Sequence, residues 1–481
     1  MQAPKPSGST SDGPDKVSSV FFEHASAPRV STDIHVYEAI KAAHPDVEVI
    51  DTDARNINII RYISLTGDGS LQPAAESGSI SKEKHPVPNS LNWSYYIPRR
   101  RRLDGGNGTL TVEPIFDKLI VKWHGHEFLV YIVDARDGTA LYPQKRQYIL
   151  TSDAAAAYTF LKTIGSWQNV LHDEIWVFDE GYWQKDAALY QAIQKSDWND
   201  IILPEELKED LLNTIIRFYD SHKDYQRLRV PWKRGLIFYG PPGNGKTVSI
   251  KATMKTLYDR KDPVPTLYVK SLASFGGAEY SISMIFEKAR QEAPCYLVFE
   301  DLDSLVTDDI RSFFLNAVDG LSENEGILMV GSTNHLERLD PGIAKRPSRF
   351  DRKYLFPDPD EEGRRRYCQY WQRKLGDNDD VDFPDKLLTP MAKLMDGFSF
   401  AYMQEAFIST LLKLANDGGK KPGKADAKKD KEWDLVELEG ELESVTSGGD
   451  DNDKDLDDYL LWREIKEQIA NLRKELESDT N

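Results

Sequence analysis

The sequence predicts an α/β protein: a parallel sheet covered by helices on both faces, followed by a helical subdomain and preceded by an α+β domain. Three observations predict it. From Trp198 onward, short apolar runs alternate with helical stretches, and parallel strands need crossover helices between them. A glycine-rich loop, residues 240–247, lies between one such run and a helix. Another run, Cys295–Phe299, ends in carboxylates, where a parallel sheet places its ligand site. With 481 residues, 40% of them hydrophobic and 29% charged, the chain can build real cores, which excludes wholly disordered, collagen-like or mucin-like proteins.

Taken in order, residues 1–30 are rich in Ser, Pro, Gly and Ala without an apolar signal core, so they read as a disordered leader. Residues 31–108 form a small helical and irregular region. It has an amphipathic helix around Val36 and Ile40, an apolar run Ile57–Ile63, and loop-like sequence from 66 to 107. Residues 109–197 form the α+β domain, with β-branched or alternating strands at Thr109–Val112, Leu119–Trp123, Glu127–Val133, Gln147–Leu150 and Glu174–Phe178. A helix over Asp153–Gln168, capped by Asp153, separates the last two.

Residues 198–358 form the large α/β subdomain. Its strands are Leu236–Tyr239, Thr266–Val269, Cys295–Phe299, Ile327–Gly331 and Lys353–Phe356. Its helices are Pro204–Asp220, Thr247–Tyr258, Ile282–Gln291 and Asp308–Asp319. Residues 359–416 read as a helical subdomain and 417–458 as a charged flexible linker. A C-terminal amphipathic helix, 459–481, carries Leu461, Ile465, Ile469, Leu472 and Leu476 on one stripe. That stripe either docks on the chain's own helical subdomain or ring, or recruits another protein.

The net charge of −18 is concentrated. Residues 432–458 hold twelve acidic side chains and one Lys, so the acidity describes a solvated tether rather than the folded surface. The acidic balance argues against a chain that coats nucleic acid over its whole surface, though not against a local basic groove. The run Arg99–Arg102 is either a solvated basic loop or a nuclear-import or RNA contact. Two cysteines, Cys295 and Cys368, leave no disulfide framework and no Cys-based metal site. His124-Gly125-His126 has no acidic or Cys neighbour in sequence and is not expected to bind metal. No apolar stretch reaches the length that spans a bilayer, so a soluble intracellular protein of cytoplasm or nucleus, rather than mitochondrion, is expected.

Gly240-Pro241-Pro242-Gly243-Asn244-Gly245-Lys246-Thr247 matches the phosphate-binding loop G-x-x-x-x-G-K-[ST]. Its glycines let backbone N–H groups curl around an anion, and the helix that follows, with Val248 in its first turn, presents its positive end. Lys246 would reach the terminal phosphates and the Thr247 hydroxyl would ligate Mg²⁺. Downstream, Glu300-Asp301-Leu302-Asp303 closes an apolar strand. One carboxylate there can hold the Mg²⁺ shell while its neighbour orients the attacking water. Asn334, after the strand that ends in Ser332-Thr333, could hold that water by its amide. The sequence continues as Leu339-Asp340-Pro341-Gly342-Ile343-Ala344-Lys345-Arg346-Pro347-Ser348-Arg349-Phe350-Asp351.

As a set, these motifs resemble the AAA ATPase family over roughly residues 198–416. The resemblance implies a P-loop NTPase fold with a five-stranded parallel sheet and a helical lid, ATP and Mg²⁺ as ligands, and ATP hydrolysis. It implies a homo-oligomeric ring, hexameric or heptameric, acting on a protein substrate, with nucleic acid an unlikely partner. Arg346 and Arg349 are then arginine fingers projected into the neighbouring protomer's site. By position Glu300 serves Mg²⁺ and Asp301 the water, reversing the Asp-Glu order of most members. Ile201 and Ile202 stand where relatives cradle adenine, although buried isoleucine is the plain reading. Phe275, in the loop 271–277 that lines the pore in relatives, is either a client-gripping paddle or a core residue. Phe400 replaces a glycine that relatives place near the ribose.

The Glu300-Asp301 order and the run Trp198–Lys208 are similar to the subgroup of the mitochondrial Rieske-protein translocase and its soluble fungal and plant relatives. The upstream strands and Trp183 then correspond to that subgroup's middle domain, while its membrane helix has no counterpart here. Two other classes remain: an ATP-gated scaffold with little turnover, and a nucleic-acid-acting AAA+ motor.

Overall fold

The computed structural model describes residues 31–74, 90–99, 102–137, 143–320, 324–344, 346, 349–378, 380–416 and 455–479. The expected leader, Arg100, Arg101 and nearly all of the charged linker lie outside these. The chain divides into two units, Met1–Val170 and Leu171–Asn481.

Unit 1 runs α1 (Thr32–Ala43), β1 (Glu48–Asp53), α2 (Ile59–Thr66), β2 (Ser70–Pro73), β3 (Ser90–Ile97), β4 (Thr109–Trp123), β5 (His126–Asp134), β6 (Lys145–Thr151) and α3 (Ala154–Asn169). The antiparallel sheet has the order β1-β6-β5-β4-β2, with β3 paired to β4. Side chains alternate between its faces. Val121, Phe128, Val130 and Ile149 pack with α2 and α3, while Val49, Val133, Tyr148 and Leu150 pack with Ile40 of α1.

Residues 109–123, read as two strands from sequence, are one. Pro114 sits beside the register shift between Leu91 and Asn92, where the missing N–H of a proline is tolerated. His124-Gly125 forms the β4–β5 turn with φ +45° and +85°, the positive pair a tight hairpin requires. The stretch 66–107, expected to be loop throughout, contributes β2 and β3.

Unit 2 begins with β7 (Ile175–Asp179), β8 (Tyr182–Asp186), α4 (Ala187–Gln194), α5 (Glu205–Asp220) and α6 (His222–Leu228). Then come β9 (Lys233–Tyr239), α7 (Lys246–Tyr258), β10 (Thr266–Val269), α8 (Ala278–Glu292) and β11 (Cys295–Phe299). Next are α9 (Leu302–Leu305), α10 (Arg311–Asp319), β12 (Ile327–Thr333), α11 (Pro341–Ala344) and β13 (Arg352–Leu355). The helical subdomain is α12 (Glu361–Lys374), α13 (Leu388–Leu394), α14 (Phe400–Asn416) and α15 (Leu460–Asp479).

The sheet of unit 2 has seven strands, in the order β13-β9-β12-β11-β10-β7-β8, not five. All neighbours are parallel except β8, which returns antiparallel along β7. The extra two come from residues expected in the α+β domain. Trp176, Val177 and Phe178 of β7 pair with Leu267, Tyr268 and Val269 of β10, so the boundary falls near 170 rather than 197. Trp183 belongs here too, against Phe178 with ring centroids 5.2 Å apart, and its Nε1 donates to the Met284 carbonyl.

Every residue of β11 and β12 is buried, because helices cover both faces. Tyr296 and Val298 face one core with α5 and α7; Cys295, Leu297 and Phe299 face the other with α8 and α10. In the helical subdomain, Leu461, Trp462, Ile465 and Ile469 of α15 are buried against Met391, Met403 and Phe407. Leu472 and Leu476 continue the stripe. The C-terminal helix therefore docks on its own chain.

Candidate functional site: a phosphate-loop cleft

The parallel strands deliver their C-terminal ends to one edge, and a cleft of about 660 Å³ opens there. One wall holds Pro242, Gly243, Gly245, Lys246, Thr247 and Val248, with Asp301, Ser332 and Asn334 beside them. Ile201 and Ile202 line it together with Asp197 and Asp200. From the helical subdomain come Tyr367, Tyr370, Phe400, Ala401 and Gln404.

The loop between β9 and α7 bends where only glycine fits. Gly243 has φ +80°, and a Cβ there would stand 2.5 Å from that of Ala401. The loop thus touches the helical subdomain directly. Asn244, 1% exposed, strengthens that joint: its Nδ2 donates to Asp358 at 2.7 Å, and its Oδ1 accepts the Phe400 N–H at 3.3 Å. Phe400, in a glycine's place, thereby lines the cleft while its backbone is held by the loop.

Lys246 is buried at the head of α7, and its ammonium donates to the Gly240 and Pro241 carbonyls at 2.7 and 2.8 Å. Burial holds its pKa below the usual lysine value, opposed by the charges of Asp301 and Asp303. The lysine is thus curled back on its own loop.

The adjacent carboxylates part company. Asp301 takes a left-handed conformation, φ +48°, its N–H donates to Ser332 Oγ at 3.2 Å, and it lines the cleft. Glu300 instead turns toward β10, where its Oε2 accepts the Tyr268 hydroxyl at 2.5 Å. Its Oε1 is shielded and has no partner. Burial and the neighbouring Glu300 carboxylate push the Tyr268 pKa well up. Asp303 accepts a bond from Thr333 Oγ1 at 2.7 Å, so it braces the strand end.

Of these groups Thr247 and Asp301 line the cleft and offer oxygen donors, as Mg²⁺ prefers; Glu300 adjoins Asp301 with its Oε1 shielded and unpartnered. Among the described residues no three His, Cys, Asp or Glu side chains converge to hold a metal by themselves. A divalent ion here would need phosphate oxygens as well.

The two arginines differ sharply. The Arg349 guanidinium is buried and forked onto Asp319 at 2.8 and 2.6 Å, with a further bond to the Gly342 carbonyl at 2.7 Å. That pairing holds the Asp319 pKa below the usual carboxylate value. Arg346, with a side chain 60% exposed, touches Asp319 only at 3.6 Å. Three of the five N–H groups of Arg349 are thus used within its own chain, whereas Arg346 is only loosely held. Phe275 is fully exposed, so it is not a core residue.

Residues 236–358 match the model of the ATPase family associated with various cellular activities, AAA. This stretch is similar to an AAA domain. It begins within β9, two residues after Arg234, and ends at Asp358, the acceptor for Asn244. An AAA domain carries the P-loop α/β fold and, as a family, ATP binding and ATPase activity. No described helix is long and apolar enough to cross a membrane.

Several cleft residues escaped the sequence reading. Tyr367 and Tyr370 stand three apart on α12, hidden in a strongly charged helix, and their i, i+3 spacing is the signal that could have found them. Ser332 looked like an ordinary strand residue, as did Tyr268, which lies outside the cleft but bonds Glu300.

Proposed function

We propose that this chain is an Mg-ATP-driven AAA ATPase that works as a homo-oligomeric ring and uses hydrolysis to remodel or move a protein substrate. The observation that carries it is the meeting, in one cleft, of the phosphate loop, Asp301 and Asn334 with side chains of the helical subdomain. A nucleotide held there would bridge the sheet to that subdomain, so its presence and loss would change how the two pack.

Lys246 would leave its loop carbonyls for the terminal phosphates, while backbone N–H groups of residues 243–248 cradle them. Ile201, Ile202 and Phe400 would enclose the base and ribose. Thr247 and Glu300 would hold Mg²⁺, which supplies charge neutralisation on the phosphates. Asp301 would orient the attacking water and take its proton, and Asn334 would fix that water from the other side. Arg346, exposed and weakly tied, would reach the nucleotide of the neighbouring protomer. Arg349 would instead hold the loop that presents it, by gripping Asp319 and Gly342.

Exposed Phe275 offers aromatic area for a client chain. The Glu300-Asp301 order favours kinship with the relatives of the Rieske-protein translocase.

Mixing tests the ring. Arg346→Ala protomers should bind ATP normally yet supply nothing to their neighbours, so doping them into wild type should depress phosphate release more than in proportion. A strictly proportional loss contradicts the shared site.

A further inference from the structure

Tyr268 of β10 stands in parallel register with Val298 of β11. Side chains two apart on a strand share a face, so Tyr268, Val298 and Glu300 point to the same side of the sheet, the side packed by α7. That geometry lets the phenol reach diagonally across and donate to Glu300 Oε2 at 2.5 Å. The other oxygen, Oε1, is shielded from solvent with no partner. Asp301, next in the chain, is swung to the cleft by its left-handed backbone, so nothing from its side competes for Glu300. Neither Tyr268 nor Glu300 is among the residues that line the cleft, which Asp301, next in the chain to Glu300, does line.

A carboxylate with one oxygen clamped and one orphaned is pre-set for a single further donor, since buried polar atoms seldom stay unpaired. We infer that Tyr268 is a positioning residue for the metal: its hydroxyl fixes the rotation of Glu300 so that Oε1 alone is offered to a water of the Mg²⁺ shell. Tyr268 acts through Glu300 and not on the nucleotide. The inference rests on the Mg-ATP reading above.

The test uses the full chain, a fluorescent ATP analogue, and Mn²⁺ as a probe whose free concentration is read by electron paramagnetic resonance. Tyr268→Phe removes one oxygen. It should weaken Mn²⁺ binding to the nucleotide-loaded protein about 10–100-fold, the usual cost of losing a residue that orients a ligand. Nucleotide affinity in EDTA should not change. Glu300→Gln should lose at least as much, and the double variant no more than Glu300→Gln alone. Tyr268→Gln, which keeps a donor, should recover part of the loss and guards against a folding artefact. A Tyr268→Phe protein with the wild-type Mn²⁺ curve overturns the inference, as does a double variant that loses the product of the two single effects. If the wild type binds no nucleotide with or without metal, the Mg-ATP reading falls first and takes the inference with it.

Discussion

The two sheets of this chain differ in what covers them. In unit 2, β11 and β12 are buried along their whole length. In unit 1, seven of the eight residues of β3 are exposed, and the ribbon it forms with the start of β4 shows Trp93, Tyr96, Leu110 and Val112 to solvent. A sheet sealed on both faces can present polar groups only where its strands end. Asp301, Ser332 and Asn334 converge there because the strands are parallel and stop together. An open antiparallel ribbon has no such common end, and its polar groups are spread along it.

Breaking the sealed sheet should have the largest effect. Phe299 of β11 is fully buried against Phe314, with ring centroids 5.5 Å apart. Phe299→Ala should cost about 3–5 kcal/mol and abolish nucleotide binding with it, read by thermal unfolding and ATP-analogue fluorescence. An unchanged midpoint would show that the sheet is not the keystone of the site.

Next comes the arginine pair. Arg349→Met should destabilise by about 1–2 kcal/mol, less than a fully buried charged bond because Asp319 is partly exposed. The Asp319 pKa is lowered in the folded state, foremost by its bond to Arg349. Its contribution is therefore complete above the unfolded carboxylate pKa, near ~4, and is lost as pH falls through the lower folded value. The gap between wild type and Arg349→Met in urea unfolding should be full at pH 7 and narrow below about pH 4. A gap independent of pH would mean that Arg349 acts by packing alone.

The smallest effect belongs to the ribbon. Leu110→Ser, at a side chain 72% exposed, should shift stability by no more than about 0.5 kcal/mol and leave phosphate release intact. A large loss of hydrolysis would erase the contrast between the sheets.

Much of the site was legible because its chemistry is local. The loop 240–247 needs glycine at fixed offsets, and the Cys295–Phe299 run carries its carboxylates directly after it. What stayed hidden depends on pairing between distant residues. The apolar run Ile175–Asp179 reads equally well as a strand of either sheet, and only its register with β10 assigns it. Arg346 and Arg349 look equivalent in a line of letters, until Asp319 at the end of α10 grips one of them. Glu300 and Asp301 look like a matched pair, until a tyrosine on the neighbouring strand turns one away. Phe275 could be core or surface from its neighbours alone; its exposure follows from how the loop after β10 leaves the sheet.

In the proposed function this cleft binds Mg-ATP and Asp301 drives its hydrolysis. The direct measurement is phosphate release by purified wild type and Asp301→Asn, with ATP-analogue binding followed in parallel. Asp301→Asn should keep the nucleotide and lose turnover by about 10²–10⁴-fold, the usual worth of a general base. Equal turnover in the two proteins, or a wild type that binds no ATP, would contradict it.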